Sequence, residues 1–116
     1  MARYKMLVLS RPIEGKEAEY NDWYQHTHLK QVVALPGYIS AQRFKRSVNM
    51  RGEDGYPYMA IYEIEADDIQ AAYTVLETAA GDGRIAVSQA FDYGSVHASI
   101  YEPFGDVVNE EKQYQS

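Results

Sequence analysis

The sequence predicts an α+β fold of βαββαβ order, an antiparallel sheet with both helices on one of its faces. Three observations carry this. Apolar runs such as Met6-Leu7-Val8-Leu9 and Tyr58-Met59-Ala60-Ile61-Tyr62 are strand-sized. Two longer stretches change to three- and four-residue spacing, and glycine or proline marks the changes of period. The length of 116 residues suits one domain with a modest core, placed over 1–105, followed by a polar tail over 106–116.

Tyr4 to Ser10 reads as the first strand, rich in Met, Leu and Val and closed by Arg11-Pro12 and Gly15. From Glu14 to Leu35 the larger groups Tyr20, Trp23, Tyr24, Thr27, Gln31 and Leu35 recur at helical steps, and Pro36-Gly37 stops that helix. Tyr38 to Ser47 alternates apolar and polar positions. Gly52, Asp54-Gly55 and Pro57 then supply the loop of a hairpin whose second strand is Tyr58 to Glu65. Asp67 or Asp68 can cap a second helix with Ile69, Ala72, Tyr73, Leu76 and Ala80 on one stripe, ended by Gly81-Asp82-Gly83. Arg84 to Phe91 is expected to add a short helical piece, and Gly94 to Tyr101 is the last strand. Helical crossovers in both halves make this the split βαβ, ferredoxin-like arrangement.

Helices on one face leave the other open, yet aromatic and aliphatic side chains fall on both faces of these strands. A large exposed face of that kind is unusual on a monomer. A second copy is therefore expected to cover it, giving a homodimer with a ligand cavity between the two sheets.

A net charge of −6 and a pI of about 4.9 argue against nucleic acid or an anionic membrane surface as partner. Arg43, Lys45 and Arg46 read as a solvated strand surface. The absence of cysteine excludes disulfides, thiolate metal sites, iron–sulfur clusters and a cysteine nucleophile. No apolar run is long enough for a membrane-spanning helix and the N-terminus lacks the pattern of an export signal, so a cytoplasmic location is expected. Phosphate-cradling and dinucleotide-binding glycine motifs and the G-x-S-x-G elbow are also missing, and neither a cofactor nor a metal is expected. Eleven tyrosines stand out; each joins a large apolar ring to a polar tip, which suits partly wet pockets and interfaces.

Of the three histidines, His26 and His28 lie about 200° apart around a helix axis and cannot converge, which removes a His-x-His metal site. Tyr24 and His28, four apart, share a side. His28 is a candidate general acid or base; the competing reading is a packing histidine that pins the helix to the sheet. His97 shares one strand face with Ser95, Ser99 and Tyr101, while Val96, Ala98 and Ile100 occupy the other. The apolar side should pack on the helices, which sends His97 to the open face, as a proton-transfer group or as a polar interface residue. Tyr58, Ala60 and Tyr62 alternate with Met59, Ile61 and Glu63, and Gln42, Phe44 and Arg46 with Arg43 and Lys45; for both strands the sequence leaves open which set lines the cavity.

The segment Trp23-Tyr24-x-x-x-His28-Leu29, followed by Leu35-Pro36-Gly37-Tyr38-Ile39-Ser40-Ala41-Gln42-Arg43-Phe44, resembles the EthD-like branch of the dimeric α/β-barrel superfamily. Those proteins commonly show W-Y-x-x-x-H-L on a helix that ends in a V-P-G-F strand entry. The closing Tyr101-Glu102-Pro103-Phe104-Gly105 is similar as well. The resemblance implies two ferredoxin-like subunits whose sheets close into a barrel, with the family's helix histidine at His28 and its aromatic neighbours at Trp23 and Tyr24. One departure is Lys30, where the branch usually has proline. Isomerases, polyketide cyclases, monooxygenases and haem-degrading enzymes share that superfamily, so it names no single reaction.

The expected function is a cofactor-independent acid/base enzyme (lyase, isomerase or cyclase) acting on a small aromatic or polyketide-like molecule. His28, His97, Tyr24 and Tyr101 are the candidate catalytic residues, and Trp23, Tyr62, Phe44 and Ser99 the candidate substrate contacts. The alternatives are a cofactor-free monooxygenase of aromatic substrates and a non-catalytic protein that binds an aromatic ligand.

Overall fold

In the computed structural model, which describes residues 1–53 and 55–111, the chain begins with β1 (Ala2–Ser10) and a helix in three parts. These are α1 (Glu17–Trp23), a π-helical turn (Tyr24–His28) and α2 (Leu29–Val33). The hairpin β2 (Tyr38–Lys45) and β3 (Tyr58–Ala66) follows, then α3 (Ile69–Gly81), a 3₁₀ turn (Tyr93–Ser95) and β4 (His97–Tyr101). The strands lie in the order β2-β3-β1-β4, every neighbour antiparallel. Each helical crossover thus spans one intervening strand, and the fold is α+β and ferredoxin-like.

The long β1–β3 ladder sets the two faces of the sheet. Met6 pairs with Tyr62 and Leu7 with Ile61. Because successive side chains alternate, Met6, Tyr58, Ala60, Tyr62 and Ile64 go under the helices, where they are buried. Leu7, Leu9, Met59 and Ile61 go to the opposite face. On β2, Tyr38 pairs with Ile64 but Ser40 with Glu63, so one residue is absorbed as a bulge. Beyond it Gln42 and Phe44 face away from the helices, and Ala41 and Arg43 face them. At the entry to β2, Gly37 has φ +86°, and a Cβ there would stand 2.9 Å from the Glu65 carbonyl oxygen. Only glycine fits both demands.

The π-turn changes the phase of the first helix. At about 100° per residue, Leu29 would lie roughly half a turn from Tyr20, on the side away from the sheet. Instead the Leu29 N–H bonds to the Tyr24 carbonyl, five residues back, and the wider turn sweeps a smaller angle per residue. The helix therefore buries Tyr20, Tyr24, Leu29, Val32 and Leu35. Thr27, expected on the buried stripe, is exposed, and Gln31 is only half-buried.

Asp68 caps α3, its Oδ1 accepting from the Gln70 and Ala71 N–H groups at 3.0 and 3.4 Å. Tyr73, expected on the packed stripe, is largely exposed, and Ala72 and Ala79 are the buried positions of α3. The stretch from Arg84 to Phe91 is not helical, contrary to expectation. Ile13 N–H bonds to the Ala90 carbonyl at 2.7 Å, Asp92 N–H to the Arg11 carbonyl at 3.1 Å, and Phe91 bridges Pro12. Partners so distant in sequence outcompete the local helical spacing. The last strand starts at His97 rather than Gly94, because Tyr93–Ser95 forms the 3₁₀ turn. Residues 106 to 111 of the expected tail are exposed and without regular structure. Residues 112 to 116, and Asp54 of the expected hairpin loop, lie outside the described residues. Among the described residues, no helix is long and apolar enough to cross a membrane.

Candidate active site

A cavity of about 520 Å³ lies between the helices and the sheet. The first helix contributes Trp23, Tyr24, His28 and Val32, the sheet Met6, Val8, Tyr62 and Ala98, and the segment after α3 supplies Ile85, Val87, Phe91 and Tyr93 as a wall. The π-turn begins at Tyr24 and ends at His28, so the irregular part of the helix is the part that presents both groups to the cavity. Such turns recur at functional sites.

The His28 ring stands 4.7 Å from Trp23 and 5.1 Å from Tyr24, perpendicular to the latter, measured between centroids. Its Nδ1 is buried and has no hydrogen-bond partner among the described residues; the same is true of Gln31 Oε1. Burial among apolar groups lowers the His28 pKa to about 4, because a charged imidazolium there loses its hydration. The ring is therefore neutral at pH 7. The Tyr62 hydroxyl donates to the Tyr24 hydroxyl over 3.4 Å. Burial pushes Tyr24 up to about 12 and Tyr62 well above the ordinary phenol range. Both stay protonated and can donate hydrogen bonds.

Behind Tyr24, the Arg43 guanidinium lies 4.9 Å from that ring, 5.5 Å from Tyr20 and 5.3 Å from Tyr58, at cation–π range. Its Nη2 donates to Asn21 Oδ1 at 2.6 Å. Asn21 Nδ2 donates to the Tyr58 hydroxyl at 3.2 Å, and Tyr58 donates to Glu17. Ser10 and Tyr20 share a buried hydrogen bond of 2.6 Å. None of Ser10, Glu17, Tyr20, Asn21 or Arg43 was singled out from sequence as a functional residue. The spacing of Glu17, Tyr20, Asn21 and Tyr24 is helical and could have grouped them, but Arg43 joins only because of the bulge in β2.

Of the residues singled out from sequence, Trp23, Tyr24, His28 and Tyr62 come together here. The other four do not. His97 pairs with Leu9, Ser99 with Leu7 and Tyr101 with Lys5, which places them on the opposite face, and Phe44, opposite Met59, joins them there. The convergence of His28 and His97 does not occur within one subunit, because the sheet stands between them. Among the described residues, no three histidine, aspartate or glutamate side chains gather in a way that could hold a metal ion.

No family model matches the chain, and no curated protein matches it significantly. Solved structures do. An EthD (ethyl tert-butyl ether D) family protein from Bacillus halodurans superposes with a TM-score of 0.62 at 21% identity, covering 90% of this chain and 100% of its own. A dimeric ferredoxin-like protein of unknown function from Jannaschia gives 0.58 at 13% identity, with 87% and 99% covered. A Shewanella loihica protein provisionally described as a monooxygenase gives 0.61 at 11% identity, with 90% and 97% covered. At these identities the likeness is one of fold. It agrees with the EthD-like resemblance carried by the Trp23-Tyr24-x-x-x-His28-Leu29 motif.

Proposed function

We propose that the chain is a cofactor-independent acid/base enzyme, a lyase, isomerase or cyclase, acting on a small aromatic or polyketide-like ketone or phenol in the helix-side cavity. One observation carries the reading: an uncharged His28 with a free buried nitrogen shares one largely apolar cavity with two tyrosines that burial keeps protonated. His28 takes a proton from the carbon next to the substrate carbonyl. The C–H electron pair moves into a carbon–carbon double bond and the carbonyl pair moves onto oxygen, where Tyr24, itself accepting from Tyr62, donates to the developing oxyanion. The imidazolium, made acidic by its surroundings, then returns the proton to the same or another carbon.

The open face is read as the contact with a second copy, closing a dimeric α/β barrel in the cytoplasm. Its support is the Leu7, Leu9, Met59, Ile61 and Phe44 strip, which lies on the face away from the helices and is only partly buried in the subunit. The Jannaschia neighbour is described as dimeric.

The test is hydrogen–deuterium exchange at the α-carbon of an aryl alkyl ketone in D₂O, followed by NMR. The wild type should exchange, and His28→Gln should fall to the uncatalysed rate; equal rates would remove His28 from the chemistry. Oxygen uptake coupled to substrate loss would favour the monooxygenase reading, for which the Shewanella neighbour is the supporting observation.

A further inference from the structure

No aspartate, glutamate, lysine or arginine lines the helix-side cavity. Arg43, which stacks on Tyr24, is not among the lining residues and is held by Asn21. A carboxylate brought into this space would give up its water and find no cation, since His28 is itself neutral there. A phenol or ketone oxygen would meet the Tyr24 and Tyr62 hydroxyls and the His28 ring.

The lining residues differ in depth. Tyr24 and Tyr62 are almost fully buried, whereas Val87 and Tyr93 are 46% and 68% exposed and mark the mouth. Phe91 lies near both, its ring centroid 6.1 Å from Tyr24 and 6.3 Å from Tyr93, and Val32, Leu76, Ile85 and Val96 add aliphatic lining. An apolar hollow of about 150 Å³ is enough for a benzene ring, so 520 Å³ holds far more than one.

Building on the acid/base reading above, we infer that the substrate is an uncharged phenol or aryl ketone bearing an alkyl chain. Its oxygen sits at the Tyr24–Tyr62 end and its chain runs toward Val87 and Tyr93.

Trp23 is the sole tryptophan and lines the cavity, so its fluorescence reports binding. The full chain is titrated at pH 7 with 4-methyl-, 4-butyl- and 4-hexylphenol and with 4-hydroxybenzoate. The dissociation constant should tighten about fourfold per added methylene, as buried methylenes do. 4-Hydroxybenzoate should bind at least about a hundredfold more weakly than 4-methylphenol. A flat chain-length series, or a benzoate that binds as well as 4-methylphenol, overturns this inference and leaves proton transfer at His28 untouched. Silence across both series overturns the inference and the aromatic site together, whereas loss of ketone exchange alone sinks only the catalytic reading. Val87→Glu, at a half-exposed position that tolerates charge, should weaken 4-hexylphenol at least about tenfold and 4-methylphenol less than about threefold. Equal losses for both would overturn the placement of the chain.

Discussion

The two faces of this sheet receive similar side chains and put them to different use. Under the helices, tyrosine and histidine are withdrawn from water until their ionisation is displaced: His28 is held neutral, and Tyr24 and Tyr62 are held protonated. On the open face, His97 and Tyr101 stay exposed beside the ion pairs Arg3–Glu65 and Lys5–Glu63, with an apolar strip between the strands' polar ends. The contrast traces the displaced ionisation of His28 to burial rather than to residue type. Where the surroundings refuse charge the imidazole stays unprotonated and its basicity is lowered, whereas His97, on the other side of the sheet, is an exposed group.

Substitutions on opposite faces separate these roles. His28→Ala should lower turnover about a thousandfold, within the span that a positioned base contributes, while His97→Ala should stay within about twofold; steady-state rates on the same ketone measure both, and the reverse ranking would break the comparison. The next effect is on stability in acid. The unfolded histidine takes its proton near pH 6.5 and the folded His28 near pH 4, so between those values the unfolded chain binds more protons and stability falls as pH drops. The loss is up to about 3 kcal/mol. Urea unfolding at pH 7, 5.5 and 4.5 should show this slope in the wild type and a shallower one in His28→Gln.

Tyr62→Phe keeps the ring and removes the hydroxyl that donates to Tyr24, which should cost about tenfold in kcat with a smaller change in ligand affinity by Trp23 fluorescence. The mildest effect on turnover belongs to the open face. Ile61→Asp should convert a particle of about twice the 13.2 kDa chain mass into single chains by light scattering and leave exchange at His28 within about threefold, because the cavity is built inside one subunit.

Much of the frame was legible before any coordinates. The strand cores, the cap at one of Asp67 and Asp68 and the stops at Pro36-Gly37 and Gly81-Asp82-Gly83 are local signals, and they fall where read, within the few residues by which element ends drift. The grouping of Trp23, Tyr24 and His28 was legible for the same reason, being one stretch of helix. The site as a whole was not. Tyr62 could have gone to either face of β3, and the stretch from Arg84 to Phe91 was read as helix although Ala90 and Phe91 pair with the β1–α1 loop.

The amino-acid sequence alone determined the order of the four strands and the two main helical segments, because those choices rest on short-range periodicity, capping and the conformational limits of glycine and proline. It also determined that His28 would lie beside Tyr24. Only the tertiary structure decided that Tyr62 meets them while His97 does not, that a bulge in β2 turns Arg43 inward, and that a π-turn brings Leu29 and Val32 round to the core. Those outcomes depend on ladder register and on packing between distant elements, where a shift of one residue reverses the face a side chain presents.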